Sequence, residues 1–406
     1  MIDYRSGMGV LSRRSDPPSS VGGVFEIIRT GNAQTRGAIA RRTGLAPSTV
    51  SQRIEALISD GLVEEYGREG SSGGRQARLL RVHGGAGAVV AATIGTQHLT
   101  LVVADLVGTA LSKADIPIDV ADGPQAVVDL VWHEIGRAFE ALHLEPDLLR
   151  GVTLGVPAPV ESRIGTVSSS AQLPGWYQAN LRELMTAHTS VPLLIENDAN
   201  LLAAAEFSLA DPGVEDLLAV KVGSRIGSGI VSGGRLHRGA SGAGGEISHT
   251  PTAGVSIIQC WCGTENCLES VASGAATVAR LQRAGQDVRS TSDLVERSRD
   301  GDPLTITLLR ESGLLVGEVL AGVVNVINPR TVVFGGSLSA AGPFVAAVRG
   351  VLFQRCLPVV TEVLDVREGT AGPDGEAWGG IQLILEEILT AEAVDRAIAL
   401  KRLPQA

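Results

Sequence analysis

Two stretches of this 406-residue chain repeat one pattern, and that repeat limits the possible fold more than any other feature. Residues 89–93, 99–105 and 110–116 read as three short strands in a meander. A helix is predicted over 124–142, then a strand over 149–156 that ends in Pro157-Ala158-Pro159. Further on, 217–222, 228–232 and 235–238 again read as hairpin-joined strands with glycine corners. Helices near 271–284, 303–326 and 341–353 follow, with a strand at 331–334 ending in Gly335-Gly336. A strand meander plus helices, used twice, implies an α/β body of two lobes, and the cleft between such lobes is where ligands usually bind.

Ahead of the repeat, the apolar residues Val21, Val24, Phe25, Ile27 and Ile28 mark an amphipathic helix. Thr35 can cap a second helix that runs through Ile39 and Ala40 to Arg42, and Thr43-Gly44-Leu45 makes a tight turn. Pro47 then opens a third helix. Its apolar residues Val50, Ile54, Leu57 and Ile58 bury one face, which leaves Ser48, Thr49, Ser51, Gln52 and Arg53 outside. Two strands, 61–65 and 77–81, are joined by a Gly- and Arg-rich tip over 67–75 that forms a wing. This order is the signature of a winged helix-turn-helix over 21–82. The small hydroxyls can approach phosphates, Gln52 and Arg53 can reach base edges in the major groove, and Arg68 and Arg75 are placed for the backbone or minor groove.

Charge supports the division. Residues 1–82 hold 12 arginines against eight acidic residues, whereas the rest of the chain is strongly acidic. A basic head on an acidic body suits a module for double-stranded DNA joined to something that should not stick to phosphate. No apolar run approaches the roughly 18 residues of a membrane span. Residues 1–20, with Arg5, Arg13 and Arg14, lack an apolar signal core and read as a disordered leader, so the expected location is cytoplasmic. Residues 83–87 read as a linker to the two-lobed body at 88–406.

Three of the four cysteines fall within eight residues, Cys260, Cys262 and Cys267, in the pattern C-x-C-x4-C. Outside an oxidising compartment such a cluster favours metal over disulfide. A closed tetrahedral site needs a fourth ligand, and His249, eleven residues upstream, is the natural one. Thiolates with one imidazole suit a structural Zn²⁺ and leave no open position for chemistry.

With these residues in view the chain resembles the ROK family of repressors, reading frames and sugar kinases. The most specific run is Gly245-Glu246-Ile247-Ser248-His249, followed by the cysteine pattern ending at Glu269. Leu173-Pro174-Gly175-Trp176 and Glu196-Asn197-Asp198-Ala199-Asn200 also look like family signatures. The resemblance covers about 21–390 and implies a two-lobed, actin-like body of the sugar kinase/Hsp70 type, with the winged helix of the family's repressors, usually dimeric or tetrameric. It also implies that Asn197, Asp198, Glu246, His249 and Glu269 contact the hydroxyls of a sugar or sugar phosphate effector. A carboxylate can accept from two vicinal hydroxyls, and a site of buried polar groups rejects analogues that lack them. His249 then has two roles, one ring nitrogen on zinc and the other toward sugar.

The sequence departs from the family's kinases where phosphate would bind. They carry Asp-x-Gly-Gly-Thr in the first hairpin, and this chain has Thr93-Ile94-Gly95-Thr96-Gln97. In the second loop, Gly223-Ser224-Arg225-Ile226-Gly227, Arg225 replaces a glycine. Asp198 stands where those kinases keep a general base. Ala158-Pro159 and Gln172 depart from the family beside the sugar site. The expectation is a non-enzymatic, sugar-responsive transcriptional regulator, most simply a repressor, with kinase activity as the alternative.

Overall fold

The computed structural model describes residues 19–68, 77–95, 97–168, 173–253 and 257–401. Residues 1–18 of the leader expected over 1–20, Arg75, Thr96 and Gln172 lie outside the described residues.

The head contains α1 (Val21–Arg29), α2 (Arg36–Thr43), α3 (Pro47–Ser59), β1 (Val63–Arg68) and β2 (Arg78–Val82). Its boundaries follow local chemistry. Ser20 and Thr35 cap α1 and α2 through their hydroxyls, and Gly44, at φ +69°, ends α2 in the left-handed conformation that opens the turn into α3. Val24, Phe25, Ile39, Val50, Ile54, Leu57 and Leu80 are fully buried in its core.

The first lobe is built from β3 (Ala88–Ile94), β4 (His98–Asp105), β5 (Ala110–Pro117), α4 (Pro124–Ala141), β6 (Leu149–Val156), a small hairpin of β7 (Val160–Glu161) and β8 (Thr166–Val167), α5 (Leu181–Thr186) and β9 (Leu193–Asn197). Its five-stranded sheet has the order β5-β4-β3-β6-β9, antiparallel among β3 to β5 and parallel from β3 to β9. Every residue of β3 is buried, because helices cover both faces of the sheet.

After α6 (Asp198–Ser208), the second lobe repeats the plan with β10 (Leu217–Val222), β11 (Ile226–Ser232) and β12 (Arg235–Leu236). Then come α7 (Leu268–Ala272), α8 (Gly274–Arg283), α9 (Thr291–Arg299), α10 (Pro303–Ile327), β13 (Thr331–Gly335), α11 (Gly342–Arg355), α12 (Pro358–Thr361) and β14 (Asp365–Glu368). The sheet order β12-β11-β10-β13-β14 matches that of the first lobe strand for strand. Finally α13 (Gly375–Ile388) packs on the first sheet and on α6, while α14 (Ala391–Lys401) packs on α1 of the head.

The expected duplication is therefore present, with elements the apolar pattern did not reveal, among them α5, β9, α6, α9, β14, α13 and α14. Residues 83–87, expected as a linker, are not a free tether. Gly84–Ala86 forms a short 3-10 turn, where Leu106 donates to the Gly84 carbonyl at 3.1 Å and Arg150 to that of Ala86 at 3.0 Å. The head is joined to the body a second time at its far end. The Gly22 amide donates to Asp395 Oδ1 at 2.7 Å, and a Cβ at Gly22 would lie 1.9 Å from the Ala391 carbonyl oxygen. Head core residues, the inner face of the first sheet, α13 and α14 form one apolar cluster. No helix among the described residues is long and apolar enough to cross a membrane.

Candidate functional site: an interlobe cleft, a thiol knuckle and a DNA-facing helix

A cavity of about 620 Å³ opens between the lobes. Glycine-rich corners after β3, between β10 and β11, and after β13 form its walls, and at these strand ends backbone comes close to whatever the cavity holds. Gly336 shows the constraint: at φ +82°, a Cβ would sit 2.5 Å from the Val222 carbonyl oxygen.

All five residues assigned to sugar contact, Asn197, Asp198, Glu246, His249 and Glu269, line this cavity. They arrive from the start of α6, the loop after β12 and the start of α7, so the fold unites positions more than 70 residues apart. Asn197 is also a helix cap. Its Oδ1 accepts from the amides of Ala199 at 2.9 Å and Asn200 at 3.3 Å, and its Nδ2 donates to the Ala158 carbonyl at 3.1 Å. Ala158, one of the departures from the family pattern, is buried and supports that cap. Glu246 Oε1 accepts from the Ser248 amide at 3.1 Å and from its hydroxyl. Glu269 accepts the Ile226 amide at 2.9 Å, and its burial pushes the carboxyl up to about 7 despite that hydrogen bond and nearby Arg225.

Asp198 is engaged as well. Lys221 Nζ, from β10, lies 2.6 Å from Asp198 Oδ2 and 2.6 Å from Glu376 Oε1 on α13. Burial pulls the ammonium's pKa down, but the two carboxylates reverse this and hold it above the ordinary lysine value. Sequence reasoning missed Lys221 and Glu376. The signal was available in Leu217-Leu218-Ala219-Val220-Lys221-Val222, where one cation interrupts a central apolar strand. It also missed Arg238, whose Nε donates to the buried Glu196 at 2.6 Å. That contact fixes the residue before Asn197.

At the phosphate end, Thr93 is buried, and its hydroxyl makes a long 3.5 Å contact to the Thr100 carbonyl. Arg225 reaches from the β10–β11 loop to donate to the Pro157 carbonyl at 3.1 Å, crossing from one lobe to the other. Burial lowers its pKa, partly offset by Glu269, Asp198 and Glu246.

His249, Cys260, Cys262 and Cys267 form one cluster, with their ligand atoms all within 4.8 Å of one another. Cys260 Sγ is 3.6 Å from His249 Nδ1, and the sulfurs of Cys262 and Cys267 are 3.4 Å apart. Zinc–ligand bonds of about 2.0–2.3 Å place tetrahedral donors at such separations, so the four residues fit a metal ion. Trp261 meets the His249 ring edge-on at 4.4 Å and also lines the cleft, so the knuckle and the cavity share a wall.

On the head, Ser48 and Gln52 of α3 are exposed, while Thr49, Ser51 and Arg53 are half-buried. Arg53 departs from the expected outward placement. Position 53 is three residues after Val50 and four before Leu57, which sets it on the flank of the buried face, with Nη1 buried and without a hydrogen-bond partner among the described residues. Glu55, on the outer stripe with Gln52, pairs with Arg36 at 2.6 Å. Arg36 also pairs with Glu65, which meets Arg78 at 2.6 Å. This ionic net ties α2 and α3 to the base of the wing. Arg68 ends β1, and the tip that holds Arg75 lies beyond the described residues.

Comparison with known proteins agrees with this architecture. Residues 89–386 match the ROK family, and residues 25–64 match the winged helix-turn-helix DNA-binding family. The xylose repressor of Caldicellulosiruptor bescii is 26% identical over 90% of this chain and 95% of its own length. The DNA-binding transcriptional dual regulator NagC of Escherichia coli is 26% identical over 85% and 88%. Among solved structures, a ROK family transcriptional regulator homologous to E. coli MLC superposes with a TM-score of 0.76 at 24% identity, covering 93% of this chain and 98% of its own. A ROK family glucokinase from Streptomyces griseus covers 73% of this chain and 99% of its own, with a TM-score of 0.63 at 24% identity. The match spans well over half of the chain, and the protein belongs to the ROK family.

Proposed function

We propose that this protein is a sugar-responsive transcriptional repressor. Its head binds double-stranded operator DNA through Ser48, Thr49, Ser51, Gln52 and Arg53 of α3 and through Arg68 and Arg75 of the wing. A sugar occupies the cleft against Asn197, Asp198, Glu246, His249 and Glu269, and a structural Zn²⁺ sits on His249, Cys260, Cys262 and Cys267. The zinc fixes the His249 ring through one nitrogen and leaves the other for the ligand. One observation carries the reading: a cleft lined by five polar side chains able to hydrogen-bond a polyol belongs to the same packed body as a winged helix-turn-helix head. Sugar shifts the head between DNA-competent and incompetent arrangements only through differential affinity for the two.

The repressor acts as a homodimer or homotetramer in the cytoplasm. Exposed apolar side chains at Val326, Phe353 and Leu357, gathered at the ends of α10 and α11, form the surface a second copy covers. A two-fold dimer reads half-sites about 10 or 20 base pairs apart. Turnover of ATP is not part of this reading, because Thr93 stands where the family's kinases carry the first-hairpin aspartate and Asp198 is paired with Lys221.

Fluorescence anisotropy with DNA from the region upstream of its own gene, titrated with pentoses, hexoses and amino sugars, tests the reading. One of these sugars is expected to lower operator affinity at least tenfold; no effect from any sugar overturns it. A coupled ADP-release assay with the same sugars is expected to stay at background. Turnover that Asp198→Asn abolishes would establish a kinase instead.

A further inference from the structure

We infer that Lys221 sets the chemical class of the effector: it is a built-in counter-ion that restricts the cleft to unphosphorylated, uncharged or cationic sugars. The inference rests on the sugar-binding reading and narrows it.

The geometry carries the argument. Lys221 Nζ is shared between Asp198 at the start of α6 and Glu376 in the first turn of α13, each at 2.6 Å. A triad of one ammonium and two carboxyl groups carries no net positive charge, so this lysine has none left to offer a phosphate. Arg225, the other fixed cation of the cavity, is committed to the Pro157 carbonyl and lies among Glu269, Asp198 and Glu246. Among the described residues the lining holds seven carboxylates against that one lysine and one arginine. In such a cavity a dianion meets net repulsion at short range and low dielectric, whereas a neutral polyol finds acceptors for its hydroxyls.

Lys221 also occupies a particular place in the duplicated plan. It pairs across the sheet with Gly335 and is followed by Val222-Gly223. Its counterpart in the first lobe, Thr93, pairs with Gly155 and is followed by Ile94-Gly95. The corner that carries neither acid nor base in one lobe carries the cation in the other, and that cation satisfies the acids from inside the protein.

Isothermal titration of the full chain with D-glucose, N-acetylglucosamine, their 6-phosphates and magnesium AMP-PNP tests this. The 6-phosphates are expected to bind at least tenfold more weakly than the parent sugars, and AMP-PNP not at all. Glu376→Gln, which keeps side-chain shape and returns charge to Lys221, is expected to narrow the phosphate penalty at least tenfold. A 6-phosphate that binds as tightly as its parent overturns the inference. So does a Glu376→Gln protein that melts like the wild type and leaves the penalty unchanged. If neither sugar binds, the sugar-binding reading fails for these ligands, and Lys221 is judged on the anions alone. Weak or absent phosphate binding that Glu376→Gln strengthens then supports the inference, and no gain, or tight wild-type binding of AMP-PNP, overturns it.

Discussion

The two lobes share one backbone plan and differ in the chemistry placed on it. In both, the central strand runs beside a parallel strand with a glycine at or next to its end, Gly155 in the first and Gly335 in the second. A side chain at either would strike α6: a Cβ on Gly155 would lie 2.6 Å from Leu201, and one on Gly335 2.7 Å from Leu202. Either leucine would have to shift to admit a side chain, which favours the same small residue at both corners. At the position paired with that glycine, the first lobe carries Thr93 and the second Lys221. The second lobe also carries the thiol knuckle, which has no equivalent among the described residues of the first. Packing preserves a duplicated scaffold, while the groups that line its cleft can diverge.

The largest test of this contrast is the metal. Cys262→Ser is expected to weaken zinc retention more than a hundredfold, since a closed four-ligand site loses one of its anionic donors. Elemental analysis after dialysis against a chelator checks it. Sugar affinity should fall with it through His249, and a metal-free mutant with unchanged sugar affinity would separate the knuckle from the cleft. The next test sets the paired corners against each other. Lys221→Met strands two largely buried carboxylates and should destabilise the fold by about 2–3 kcal/mol, at the low side of the usual range for broken buried pairs because the partners keep some solvent. Thr93→Val removes a hydroxyl with one long contact and should change stability by less than about 0.5 kcal/mol in denaturant titration. Similar losses at both would mean the corners are equivalent after all.

Two smaller effects concern the head. Gln52→Ala should cost about 1–3 kcal/mol of operator discrimination, measured against scrambled DNA. Arg53→Ala is expected to lower operator affinity too, with a loss of head stability, since its guanidinium is partly buried. The junction between α13 and α1 gives a pH signature. Burial pushes Glu386 up to about 7, against Gln382, Arg29 and Arg238. A carboxyl whose folded pKa exceeds its unfolded value near 4.5 costs stability as pH rises between those values and costs a constant amount above 7. Glu386→Gln should flatten that slope and raise stability at pH 8 by about 1–2 kcal/mol, after discounting for partial exposure. Parallel melting curves from pH 5 to 8 would show it failing.

Much of the site was legible because its signals are local. The cysteine pattern, the run around His249 and the Asn197-Asp198 pair each lie within a few residues; the latter two line one cavity, which the thiol cluster adjoins through His249 and Trp261. Lys221 was present in the sequence as a lone cation in an apolar strand, but its partners are 23 residues before it and 155 after it. Glu376 sits on a helix whose glycines, Gly379 and Gly380, obscured its pattern; they are small because Leu201 backbone and Thr153 pack against them. Arg53 was placed outside because its polarity outweighed its angular position on the helix.

By itself the sequence determined what depends on spacing along the chain: caps and turns of the head, the duplicated strand order, and the four side chains of the His/Cys cluster. Helix and strand periods and ligand spacing are short-range properties, so they can be read without coordinates. Only the tertiary structure decided what depends on distant elements meeting, such as Lys221 between two carboxylates, Arg225 bridging the lobes, and Gly22 against the last helix. Which of many possible partners a buried charge or a bare backbone finds is settled by how the layers pack, and no local pattern encodes that choice.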